Sequence, residues 1–195
     1  DPTFMVLIPA LVLSIWAQAR IRSAFGRYSE VRARRGVTAR DAARAILDSN
    51  GLSDVPVERV QGALTDHYDP RKKVLRLSDN VYGSPSIAAI GVAAHEAGHA
   101  IQDARGYAPL RLRNSFVAVA GLGSSLALPL FFIGFLFSNP TMMNVGILFF
   151  VAVLLFHLVT LPVEIDASRR ALSILSSSGL LATDEIGGAK AVLNA

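Results

Sequence analysis

The 195-residue chain contains no cysteine. That excludes disulfides, thiolate zinc sites and cysteine nucleophiles, and says of the compartment only that an oxidising one is not needed. Charge is also scarce, at 17% of residues, while 52% are hydrophobic. A soluble protein of this size seldom combines those values. The basic excess is small, +4, and thirteen of the nineteen Lys and Arg residues fall between Arg20 and Arg76, against seven acids. No aromatic interleaving or nucleic-acid motif accompanies them, so no nucleic-acid partner is expected.

What the chain has instead is long apolar runs. Phe4 to Ala19 is apolar apart from Ser14 and Gln18. A signal peptide is the rival reading, because Ala17-Gln18-Ala19 has the small-x-small form of a cleavage site. Against it, no basic region precedes the run, and the arginines follow. Asn114 to Phe137 and Thr141 to Pro162 are uncharged and flank a Ser138-Asn139-Pro140 turn. About 20 residues of helix cross a bilayer core, so each of these two is long enough. Arg20, Arg22 and Arg27 follow the first run, Arg111 and Arg113 precede the second, and Arg169 and Arg170 follow the third. The positive-inside rule then places residues 20–113 and the C-terminal segment in the cytoplasm.

Between the first two runs the pattern changes. Thr38, with Asp41 three residues on, predicts a capped helix through Ser49, stopped by Asn50-Gly51. Val55–Val60, Leu64–Tyr68 and the alternating Val74–Leu77 read as short strands, with Asp69-Pro70-Arg71-Lys72 as a turn. Ser84-Pro85-Ser86 can cap a further helix with proline in its first turn, running to about Ala104, with Gly106 at its end.

That last helix carries AAHEAGHAIQ, residues 93–102. Residues four apart share a helix face, so His95 and His99 can present imidazoles to one ion. Zinc accepts neutral imidazole nitrogen, and two histidines plus a carboxylate with an open fourth position is a hydrolytic arrangement. Glu96 lies about 100° round the helix, outside the ligand set but able to take a proton from a water held at the ion. The bland alternative, an amphipathic helix with two surface histidines, would leave polar groups on a mostly apolar helix without partners, which is costly. The small Ala97, Gly98 and Ala100 would let another helix approach closely.

A catalytic zinc usually takes three protein ligands, and this segment supplies two. A metzincin pattern is excluded because Gln102 and Arg105 occupy the positions it reserves for Gly and His. A distant carboxylate remains. Glu164, at the membrane-proximal end of the third run, is the best candidate, with Asp166 and Asp103 as lesser ones. His157, seven residues before Glu164, suits a supporting or substrate-facing role, or a buried histidine bonded to backbone. His67, in the strand region, could hydrogen-bond an oxyanion or be an exposed residue beside a turn.

The stretches LTDHYDPRKKVLRLSDNVYGSPSIAAIGVAAHEAGHAIQ, YAPLRLRNS and LPVEIDASRRA resemble the neutral zinc metallopeptidase family of bacterial membrane proteins, the YugP-like peptidases. The likeness extends over nearly all of the chain. Gluzincin-type membrane peptidases more widely share a strand, an HExxH helix and a downstream glutamate on another helix. The resemblance implies a membrane-embedded zinc protease with His95 and His99 as ligands, Glu96 as general base and Glu164 as third ligand. Many such enzymes carry Asp four residues after the ligand glutamate; here Ser168 stands there, with Asp166 two after. The natural chain is expected to extend beyond both Asp1 and Ala195.

The expected architecture is α+β: a mainly helical integral-membrane protein with three transmembrane helices and a small strand hairpin before the HExxH helix. Its parts would be a first transmembrane helix (1–19), a cytoplasmic zinc-metallopeptidase region (20–113), a transmembrane hairpin (114–163) and a cytoplasmic helical segment (164–195). The expected function is zinc-dependent hydrolysis of peptide bonds at the cytoplasmic face of the cell membrane, on a protein or peptide substrate. A non-catalytic metal-binding membrane adaptor and a hydrolase of lipid or non-peptide amide bonds are the alternatives. An intact Glu96 speaks against the first, and a strand edge suited to an extended peptide speaks against the second. A regulatory membrane partner is possible and unreadable.

Overall fold

The structure, a computed structural model, describes residues 3–195, and of their side chains Ile8 and those from Val12 on. Asp1 and Pro2, which open the expected first span, lie outside the described residues. The chain forms two compact units: residues up to 101 together with 167–195, and residues 102–166.

The first unit contains α1 (Thr3–Ser29), α2 (Ala39–Ser49), β1 (Val57–Val60), β2 (His67–Asp69), β3 (Val74–Ser78), α3 (Asp79–Tyr82) and α7 (Ile186–Leu193). It also takes α4 (Ile87–Ala104) as far as Ile101, and α6 (Pro140–Ser178) from Ala167 on. Thr38 caps α2 as its spacing requires: its hydroxyl accepts the Asp41 N–H at 3.2 Å and donates to the Asp41 carboxylate at 2.8 Å. Gly51 leaves that helix at φ +74°, a conformation that costs glycine little. Ser86 caps α4 by accepting the Ala89 N–H, so Pro85 falls just before the helix rather than in its first turn. The Pro85 carbonyl accepts the Ala33 N–H at 2.9 Å, tying the segment after α1 to the start of α4.

The expected hairpin is present as β2 and β3, with Tyr68 opposite Leu75. β1 adds to the other side of β3 in parallel, giving the order β1-β3-β2. β3 is therefore the central strand, and Val74, Leu75, Leu77 and Ser78 are all buried. A half-buried, alternating strand was the expectation; a nearly continuous buried run is found instead, as for a strand covered on both faces. The core is built from Ala42, Ile46 and Leu47 of α2, Leu75 and Leu77 of β3, Ile90, Ala93 and Ala97 of α4, and Leu175.

The second unit is a helical hairpin. α5 (Ala108–Leu136) and α6 are joined by residues 137–139, where Ser138 turns the chain at φ +51°. The helices run antiparallel and touch at glycines: a Cβ on Gly134 would lie 2.7 Å from the Met143 nitrogen, and one on Gly146 2.8 Å from the Ala127 carbonyl. Small residues at such contacts are how helices associate in lipid, where burying apolar surface gives no advantage. The large side chains point outward, with Leu122, Phe135 and Leu148 61%, 67% and 68% exposed. α6 continues unbroken through Pro162, joining what the sequence suggested as a span and a separate terminal segment.

The protein is thus mostly helical with one small sheet, consistent with α+β, but the expectation of three spans is corrected. Among the described residues, two helices, α5 and α6, are long and apolar enough to cross a membrane. From Arg20 on, α1 carries arginines and packs against α7, where the Tyr28 ring lies against Gly188.

Candidate metal centre

α4 can hold its histidines deep in the first unit because the helix is made of small residues. A Cβ on Gly98 would meet the Ala167 carbonyl at 2.9 Å, so α6 approaches α4 at a distance only glycine permits. The sequence suggested a close helix without identifying it; it is the C-terminal part of α6. His99 and Glu96 are buried, at 7% and 8% exposure, and His95 is half-buried. The two imidazoles stand edge to face with centroids 4.7 Å apart, as the i, i+4 spacing demands.

Two contacts orient this pair and the glutamate between them. His95 Nδ1 lies 3.1 Å from the Ser168 hydroxyl. With Nδ1–H donating there, Nε2 carries the lone pair that a metal requires. Glu96 Oε2 accepts the backbone N–H of Tyr68, from β2, at 3.0 Å. Neither partner was singled out from the sequence for its role. Ser168 had been noted as standing where related enzymes carry aspartate, and its hydroxyl can still fix an imidazole tautomer.

In the second unit, Glu164 sits on α6 with the Arg113 guanidinium of α5, Nη2 lying 3.7 Å from Oε1. Asp166 is engaged differently: its Oδ2 accepts from Gln102 Nε2 at 2.8 Å, and the same nitrogen donates to the Val163 carbonyl at 2.9 Å. Gln102 is fully buried, and those bonds satisfy both of its amide hydrogens. Asp103 is half-buried, and its backbone carbonyl accepts the Gly106 N–H.

The remaining two histidines are both exposed. His67 is exposed, with Nδ1 2.8 Å from the Thr65 carbonyl. His157 is exposed on the apolar stretch of α6, its ring 5.9 Å from that of Phe156. The expected alternative of a buried histidine is not what is found. A further carboxylate that sequence reasoning passed over is Glu185. Buried just before α7, it accepts the N–H groups of Arg34 and Ala182 at 2.8 and 2.7 Å, tying the ends of distant segments together.

The donors on α4 fit zinc chemically. Two imidazoles on one helix face, at least one nitrogen oriented by a hydroxyl, and a neighbouring buried carboxylate held by an amide are nitrogen and oxygen groups of the kind zinc prefers.

Residues 3–195 match the family described as "Putative neutral zinc metallopeptidase". Among curated proteins, "Putative membrane protease YugP" of Bacillus subtilis (strain 168) is 48% identical over 188 residues, covering 96% of this chain and 84% of that protein. No solved structure matches.

Proposed function

This chain belongs to that family of zinc metallopeptidases, with Zn2+ as the cofactor, and from that premise we propose that it is a membrane-embedded protease whose site is built on α4 and α6. His95, His99 and Glu164 would hold the ion, a donor set of two imidazoles and one carboxylate suited to a single metal. The observation that carries the reading is the pairing of His95 with Ser168. Glu164 precedes Ser168 by one turn of the same unbroken helix, a rise of about 6 Å. A carboxylate one turn from the hydroxyl that orients the first histidine is well placed to be the third ligand.

When bound, zinc supplies Lewis acidity, polarising the scissile carbonyl and making an attacking water more acidic. The chain's residues do the rest. Glu96 takes the proton of the attacking water on its carboxylate and returns it to the amine nitrogen that leaves. The Tyr68 N–H keeps that carboxylate aimed, and Ser168 keeps the His95 tautomer. β2 lies at the sheet edge, where an extended peptide can add as a further strand, which favours a peptide over a lipid substrate. Arginine placement supports a site at the cytoplasmic face of the cell membrane, and the length and apolar character of α5 and α6 support their crossing it.

The experiment is a comparison of wild type with Glu96→Gln for zinc content and for cleavage of an unfolded protein substrate. The variant should keep its zinc and lose hydrolysis by at least about 100-fold, since the amide cannot accept the water's proton. Peptidase activity surviving in Glu96→Gln would remove the mechanism.

A further inference from the structure

Arg113 stands on the second turn of α5, a helix that is otherwise uncharged from there to its end. A guanidinium at the end of an apolar span ordinarily reaches out to the headgroups, so one turned instead toward a carboxylate asks for a reason. Its side chain is about a third exposed, yet its Nε is buried and has no hydrogen-bond partner. The one ion pair it makes among the described residues is to Glu164, at 3.7 Å. That separation is longer than a charge-assisted hydrogen bond of about 2.7–2.9 Å, so the pair is an electrostatic contact.

We propose that Arg113 is a positioning residue for the metal centre: its guanidinium holds Oε1 of Glu164, so that Oε2 is the oxygen offered to zinc. This rests on the reading of Glu164 as third ligand. A glutamate with a flexible side chain can bind an ion through either oxygen or both, and the choice sets how many positions remain for water and substrate. Fixing one oxygen with a cation from the neighbouring helix makes the carboxylate a one-oxygen ligand. The same cation supplies a counter-charge to the half-buried carboxylate when the metal is absent. Arginine suits the task better than lysine, because its planar fork fixes a carboxylate in direction as well as in distance.

The test measures zinc affinity by chelator competition, and the visible spectrum of the cobalt-substituted protein, for wild type, Arg113→Met, Arg113→Lys and Arg111→Ala. Arg113→Met keeps the length of the side chain and removes its charge. Arg111, exposed on the same turn of α5, controls for lost charge at the membrane surface. Loss of a group that orients a ligand typically weakens metal binding about 10- to 100-fold, and that is expected for Arg113→Met with a shifted cobalt spectrum. Arg113→Lys should recover part of the affinity, and Arg111→Ala should match wild type. Circular dichroism of each variant separates misfolding from a changed site, and a folded Arg113→Met with wild-type affinity and spectrum overturns the proposal. Glu164→Ala in the same series keeps the two claims apart. If it retains zinc like wild type, the ligand assignment itself fails; if it loses zinc while Arg113→Met does not, only the role of Arg113 falls.

Discussion

The hydroxyl of Ser168 stands 3.1 Å from His95 Nδ1, where many metal sites place a carboxylate. When it accepts from Nδ1–H, a neutral oxygen favours the tautomer a metal needs but raises the basicity of the imidazole less than an anion would. Ser168→Ala should therefore weaken zinc binding by about 10-fold, the low end of what such partners contribute. Ser168→Asp should restore or strengthen it, and chelator competition reads both. Glu164 and Asp166 separate in the same assay. Glu164→Ala should lose most of the bound zinc, whereas Asp166→Ala should act mainly through the Gln102 bond it accepts, and so more weakly. Equal losses for the two would reassign the third ligand. Legibility at this scale follows sequence distance. His95, Glu96 and His99 were readable because one helical turn brings them together. Ser168 lies 73 residues from His95, and Tyr68 lies 28 from Glu96. No local pattern marks a backbone N–H as the partner of a carboxylate, and a lone serine in a helix carries no signal of its own.

Among the elements, α4 shows how a helix of small residues becomes a platform. Replacing Gly98 by alanine would normally help a helix by about 0.8–1.0 kcal/mol. Here the new Cβ meets the Ala167 carbonyl at 2.9 Å, and a backbone atom cannot rotate aside. Overpacking of this kind costs about 1–3 kcal/mol, so the clash should win. Gly98→Ala should lower the melting temperature in detergent; a variant at least as stable as wild type would show that α6 can yield. The β2–β3 turn offers a pH test. Burial pushes the Asp69 carboxyl up, but the N–H groups of Lys72 and Arg71 and the nearby Arg76 outweigh it, leaving it below its ordinary value near 3.8. The Asp79 carboxyl is also lowered, chiefly by its hydrogen bond from Arg59 and by the Gly62 N–H. Because both folded values lie below the unfolded ones, their stabilisation is fully present above about pH 4 and is lost as pH falls through the lowered values. Amide exchange at β2 and β3 should be unchanged by these groups from neutral pH to about 4 and quicken below it. Asp79→Asn should flatten part of that acid response. The strands themselves were legible within a few residues, because turn chemistry at 69–72 is local. The parallel pairing of β1 was not, since nothing in a four-residue strand says which neighbour it will take.

At the scale of the whole molecule, the sequence spoke most clearly where residues are apolar for twenty positions together. Asn114–Phe137 and Thr141–Pro162 lie within α5 and α6, the two helices long and apolar enough to cross a bilayer, but α5 begins earlier and α6 runs on to Ser178, which local apolar character does not reveal. The first run was over-read: its apolar character is real, but its arginine-bearing continuation belongs to a helix that packs on α7. Topology then rests on charge. Arg111 and Arg113 precede the first apolar run of the hairpin and Arg169 and Arg170 follow the second, while the connection at 137–139 carries no charge. A short loop without Lys or Arg is the kind that translocates, and loops rich in them stay in the cytoplasm. The absence of native cysteine makes this directly measurable, since any single introduced thiol reports alone. A membrane-impermeant maleimide applied to intact cells should modify Asn139→Cys and spare Asp54→Cys, both exposed positions, with each labelled once the cells are opened. Labelling of Asp54→Cys in intact cells would invert the hairpin and move the zinc site to the opposite face. Substrates would then have to be sought outside the cytoplasm, although the chemistry proposed for His95, Glu96, His99 and Glu164 would stand unchanged.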